Sequence, residues 1–150
     1  PAIRRLGDRS GVSVTGSVPD VRPYLNRSAL MVAPLNIARG TQNKILEAMA
    51  SGIPVVTSAV AAGGVDAIAE QHLLVANGYG EQVTAVLRIL EDRTERQRLA
   101  IAGRERVLSH HDWSSSMRRL DQIIDRCLAG SRSRPQVRTD RAAIKDSIAD

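Results

Sequence analysis

Among its 150 residues the chain has no phenylalanine, one tryptophan and two tyrosines, so its core has to be built from aliphatic side chains. Single-stranded nucleic acid would find almost no ring surface to stack on, no groove-reading motif stands out, and no nucleic-acid partner is expected. One cysteine, Cys127, excludes an internal disulfide and the usual thiolate zinc sites and suits a reducing compartment. Its spacing from Ile123 and Ile124 assigns it to the packing face of a helix. No apolar run approaches the ~20 residues of a membrane span and no charged-then-apolar leader opens the sequence, so a cytoplasmic domain is expected. Neither a Ser/His/Asp order nor a metal-ligand spacing is present, and no metal and no cofactor is expected.

The net charge is +5. That excess is spread along the chain, and weak attraction to an anionic membrane surface is one consequence. From Gly130 onward the composition turns to Ser, Arg, Asp and Pro, with five basic residues against three aspartates. Residues 130–150 read as a mobile basic tail, with one helical turn near Ala142 to Ile148. The rest has the length of one domain with a proper core.

Within residues 1–129 strands and helices alternate. Val12 to Thr15 reads as a strand, Asp20 caps a short helix to Asn26, and Ala29 to Ala33 is the next strand. A helix from Thr41 to Ser51 ends at Gly52 and leads into the strand Pro54 to Ser58. Gly63-Gly64 opens a helical turn near Val65 to Ala69, and His72 to Ala76 is a further strand. Val83, Val86, Leu87 and Leu90 fall at helical spacing, which makes Glu81 to Glu91 an amphipathic helix. Two helices follow, Thr94 to Ser109 and Trp113 to Leu128. The pattern predicts an α/β doubly wound parallel sheet, Rossmann-like, with Pro54 to Ser58 in its interior.

Chemistry concentrates between Arg39 and Thr57. The loop from Pro34 to Gly40 follows a strand, and the carboxyl ends of strands are where open α/β sheets bind ligands. Gly40 and Thr41 form a flexible lead-in with Thr41 as the expected N-cap, and the first N–H groups of the helix point outward as anion ligands. Lys44 lies in the first turn, where the helix dipole opposes a cation by ~0.3–1 kcal/mol. Arg39 adds a second cation at the same end. An anion such as a diphosphate would offset that cost. The alternative is a solvated face on which Lys44 pairs with Glu47 at i,i+3. His72 reads as structural, His110 and His111 as surface or capping residues, and Gly63-Gly64 as a turn.

Lys44-Ile-Leu-Glu-Ala-Met-Ala-Ser-Gly-Ile-Pro-Val-Val56 resembles the signature of the carboxyl-terminal, nucleotide-binding domain of the family 4, retaining GT-B glycosyltransferases. Val14-Thr-Gly-Ser-Val-Pro-Asp-Val-Arg-Pro-Tyr-Leu25 resembles an upstream block of that family, and His111-Asp-Trp-Ser114 its closing block. The form Arg39-Gly-Thr-Gln-Asn-Lys44 is most similar to sugar transferases of bacterial exopolysaccharide and exosortase systems. In the family two glutamates eight positions apart contact the sugar-nucleotide. Glu47 matches the second, which holds the ribose; Arg39 stands where the first contacts the donor sugar. A carboxylate accepts from a diol, whereas an arginine only donates, so Arg39 suits a diphosphate or a uronate.

The resemblance implies a glycosyltransferase binding a nucleotide-diphosphate sugar through Arg39, Gly40, Thr41, Lys44 and Glu47, with no catalytic residue assignable. Its acceptor, a glycan or a lipid-linked sugar, would be held by an amino-terminal GT-B domain. By the same resemblance Pro1 to Arg9 falls in the helix or loop after an earlier strand, so the chain is expected to be a fragment, inactive alone, cytoplasmic or peripheral at the inner membrane. A non-catalytic doubly wound nucleotide-binding or regulatory module is the alternative.

Overall fold

Residues 3–132 are described by the structure, a computed structural model, which divides into two units between Asp112 and Trp113. The order of the first unit is a 3-10 turn Arg4–Asp8, α1 Arg22–Leu25, β1 Met31–Ala33, α2 Asn43–Ala50, β2 Val55–Thr57, α3 Ala59–Ala62, β3 Leu74–Val75, α4 Tyr79–Glu91 and α5 Arg93–His110. The three strands form one sheet in the order β1-β2-β3, parallel throughout, with Met31 opposite Val55 and Val56 opposite Leu74.

The middle strand is buried along its whole length, as expected for Val55 and Val56. Successive side chains of a strand point to opposite faces, and the packing follows. Val55 joins Ile45, Ala48 and Met49 of α2, Ala61 of α3 and Val107 of α5. Val56 joins Leu74, Ile89 of α4 and Leu99 of α5. The sheet is therefore covered on both faces, and α5 contributes to both clusters.

Most of the basic helix α5 is spent on carbonyl groups of other segments. Arg98 donates to the carbonyl oxygen of Glu70 at 2.8 Å, Arg104 to that of Ala50 at 3.1 Å, and Arg106 to that of Asp66 at 2.9 Å. Arg96 reaches the carbonyl oxygen of Leu90 at 3.3 Å, at the end of α4. Glu95 accepts from Arg88 of α4 at 2.5 Å and from Arg98 at 2.7 Å, and Arg88 also pairs with Glu70 at 2.7 Å. Gly103 lets this helix sit close: a Cβ there would lie 2.8 Å from the carbonyl oxygen of His72.

Helix α2 ends as its Gly52 demands. The amide of Gly52, at φ +72°, donates to Met49 and that of Ile53 to Ala48, both at 2.9 Å. This satisfies two terminal carbonyls and turns the chain into β2.

Three expectations are corrected. Val12 to Thr15 forms no strand, since a strand exists only through a neighbour and none among the described residues pairs with this segment; Val12 and Val14 stay exposed. The short helix after β2 precedes Gly63-Gly64 rather than following it, because Ser58 caps α3 by accepting from the amide of Ala61 at 3.4 Å. Cys127, expected to pack, is exposed.

The second unit begins with α6, Trp113–Arg132. Its apolar residues Trp113, Met117, Leu120 and Ile124 recur at helical spacing and are exposed. The helix runs through position 130, and the rest of the tail expected over residues 130–150, its turn near Ala142 included, lies outside the described residues.

Candidate functional site

All three strand exits are tied together. Thr57 Oγ1 donates to the carbonyl oxygen of Ala33 at 3.0 Å, and Ser58 Oγ to that of Leu35 at 2.6 Å, which joins the loop after β1 to the end of β2. The side-chain oxygen of Asn77, just past β3, accepts from the amide of Ala59 at 2.8 Å. Loops that leave a parallel sheet at its carboxyl edge are thereby held in one place.

The loop before α2 is ordered by Gln42. Its buried side-chain amide donates to the carbonyl oxygens of Arg39 at 3.2 Å and Gly40 at 3.1 Å. Gln42, not Thr41, occupies the N-cap, and no side chain caps the helix. The reason is reach: the longer amide spans two loop carbonyls that a threonine hydroxyl would leave open. The first N–H groups of α2 are thus without a side-chain acceptor, beside the exposed side chains of Arg39 and Lys44.

Gly40 has φ +64°, a conformation natural to glycine. Its carbonyl oxygen lies against Gly64, so near that a Cβ on Gly64 would collide with it. Gly63-Gly64 is therefore more than a turn, because it lets the loop after α3 press on the loop before α2. Together they border an open cleft of about 830 Å³ that also exposes Thr41, Asp66 and His111. Arg106 Nη2 donates to Asp66 Oδ1 at 2.6 Å, and its Nη1 stands 2.8 Å from His110 Nε2. The guanidinium holds the Asp66 carboxyl below the usual carboxylate range, helped by His110 and His111.

A second cleft, of about 530 Å³, has Glu47 on one wall and Pro19, Val21 and Leu25 on the other. Asp20 closes its rim, accepting from the amide and the guanidinium of Arg22, both at 3.0 Å. The five expected donor-binding residues thus divide. Gly40 and Thr41 line the first cleft, Glu47 the second, and Arg39 and Lys44 line neither but border the end of α2 that separates them. No ion pair joins Lys44 to Glu47 among the described residues.

His72 is structural. It is buried, and its Nδ1 accepts from the amide of Ile68 at 3.0 Å, which fixes the proton on Nε2. Burial first, then the charge of Arg106, pushes its pKa down. Asp66 and Gln42 were not singled out by sequence reasoning; the one hint for Asp66 was its place just after a Gly-Gly turn that follows a strand. No group of three His, Cys, Asp or Glu side chains able to hold a metal occurs among the described residues.

A doubly wound parallel sheet with its loops gathered at the carboxyl ends defines a Rossmann-like domain of GT-B type. The family of glycosyl transferases group 1 matches residues 1–92, and the chain belongs to it. Among solved structures the chain is similar to a sucrose-phosphate synthase from Thermosynechococcus elongatus. Identity is 28% and the TM-score 0.68, over 86% of this chain and 33% of that one. The chain spans about a third of the length of that structure. No curated protein matches.

Proposed function

We propose that this domain holds the nucleotide-diphosphate sugar donor of a retaining, family 4 glycosyltransferase of the exopolysaccharide type. The single observation that carries the reading is the start of α2, uncapped by any side chain and flanked by Arg39 and Lys44 at the exit of β1. Unpaired helix N–H groups and two cations make an anion site. They would stabilise the negative charge that develops on the diphosphate as the glycosidic bond breaks. Glu47, one turn further on, accepts from the ribose diol, and the apolar wall of Pro19, Val21 and Leu25 takes the base.

The acceptor, a glycan or a lipid-linked sugar, is held by a second, amino-terminal domain, and the enzyme works in the cytoplasm or at the inner membrane surface. No metal and no cofactor is part of this scheme, and the 150-residue chain alone carries out no transfer. Among the described residues no helix is long and apolar enough to cross a membrane. The family match supports the reading over a regulatory module of the same topology.

Titration calorimetry on the chain tests it. Lys44→Ala should weaken both inorganic diphosphate and a nucleoside diphosphate, a charge-assisted contact being worth about 1.5–3 kcal/mol. Glu47→Gln should weaken the nucleoside diphosphate and spare inorganic diphosphate. Unchanged affinities in both variants would leave Lys44 and Glu47 as a solvated face.

A further inference from the structure

The larger cleft differs chemically from the start of α2 that borders it. Its polar side chains are Thr41, Asp66 and His111, Asp66 is its one carboxylate, and no lysine or arginine lines it. Val60 and Val65 supply an apolar wall. A cleft of this kind brings no lysine or arginine of its own to a phosphate and suits a neutral polyol, whose hydroxyls need acceptors and whose C–H face needs apolar contact. Asp66 is held from two sides, since Arg106 donates to its main-chain oxygen at 2.9 Å and to Oδ1 at 2.6 Å. Its Oδ2 has no hydrogen-bond partner among the described residues, and its side chain is 57% exposed.

Resting on the donor-site reading above, we propose that Asp66 is a specificity residue: its carboxylate accepts hydrogen bonds from the hydroxyls of the donor's sugar, while Arg106 positions it. The arrangement divides the donor by charge. The diphosphate stays with Arg39, Lys44 and the amides of α2, and the sugar lies over the Gly40–Gly64 contact against Val60 and Val65. His111 flanks the same space. It marks where a ligand's far edge would reach.

The test uses the 150-residue chain and two ligand pairs, uridine diphosphate with its glucose ester and guanosine diphosphate with its mannose ester, measured by calorimetry. Asp66→Asn should weaken the sugar ester of whichever pair binds by about tenfold, the loss of one charged acceptor, while leaving the bare nucleoside diphosphate within about twofold. Asp66→Ser, at this exposed position, should repeat that difference. Arg106→Gln removes the same ion pair and keeps the carboxylate, so a purely structural role predicts the larger loss there, and that outcome would overturn the proposal. An equal change in both ligands, or none, also overturns it while leaving the diphosphate site standing. Absence of binding by either pair removes the donor-site reading and this proposal with it.

Discussion

The carbonyl oxygen of Gly40 occupies the space that a side chain on Gly64 would need. Gly64→Ala should therefore drive apart the loop before α2 and the loop after α3. Overpacking of this kind costs roughly 1–3 kcal/mol, and because the damage falls at the cleft, ligand affinity should fall together with the melting temperature. Thermal denaturation with and without a nucleoside diphosphate reads both. An alanine variant as stable as the parent would show that the two loops are not locked together.

Gly103→Ala sets two effects against each other. In an ordinary helix interior the change gains about 1 kcal/mol. Here the new Cβ would lie 2.8 Å from the carbonyl oxygen of His72 and 3.6 Å from Met49 Cε. The sulfur side chain can give way, the backbone oxygen cannot. Displacing α5 should outweigh the propensity gain, for a net loss of about 1–2 kcal/mol in urea denaturation.

Glu95 connects α4 and α5 through Arg88 and Arg98, and these partners, Arg98 first, hold its pKa at about 2 against 4.5 in the unfolded chain. A carboxylate depressed on folding stabilises above its unfolded pKa and loses that contribution as pH falls towards the folded one. Both arginines are nearly half exposed, so screening reduces the value to on the order of 1–2 kcal/mol. Glu95→Gln should be less stable than the parent at pH 7, and the gap should close between about pH 4.5 and 2. A constant gap would mean that the charge of Glu95 is not what matters.

His72 titrates in the opposite sense. Its folded pKa lies below the ordinary 6.5, so the unfolded chain takes up the proton first and stability falls as pH drops below that value. Protonated, Nδ1 would face the Ile68 amide donor-to-donor. His72→Asn keeps an acceptor at that position, so the variant should show a flatter stability profile between pH 7 and 5. Denaturant midpoints across that range settle the point.

Where a signal was local, the sequence was a good guide. Helix α4 followed from apolar spacing within itself, and β2 from a continuous Val-Val run after the Gly52 turn. Val12 to Thr15 shows the limit, since its alternation is local but strand pairing is not. Helix α3 was missed because Gly63-Gly64 drew attention past Ser58, whose capping depends on an oxygen also bound to Leu35. The approximate site at Arg39 to Glu47 was visible as a cation cluster ahead of a helix. Its partition into two clefts was not, because Asp66, His111 and Pro19 come to it from distant parts of the chain and share no spacing with it.

The arginines of α5 that bind carbonyl groups have a consequence for how fast an anion arrives. A carboxylate partner cancels an arginine's charge, whereas a carbonyl occupies its N–H groups and leaves the charge in place. Arg98 and Arg106 also pair with the carboxylates of Glu95 and Asp66, but among the described residues Arg96 and Arg104 donate only to carbonyls, so part of the excess of +5 persists as a fixed positive field on a rigid helix. Such a field steers charged ligands by diffusion and is screened over ~8 Å at physiological ionic strength. The association rate of a nucleoside diphosphate should therefore fall as salt is raised, while its dissociation rate changes little.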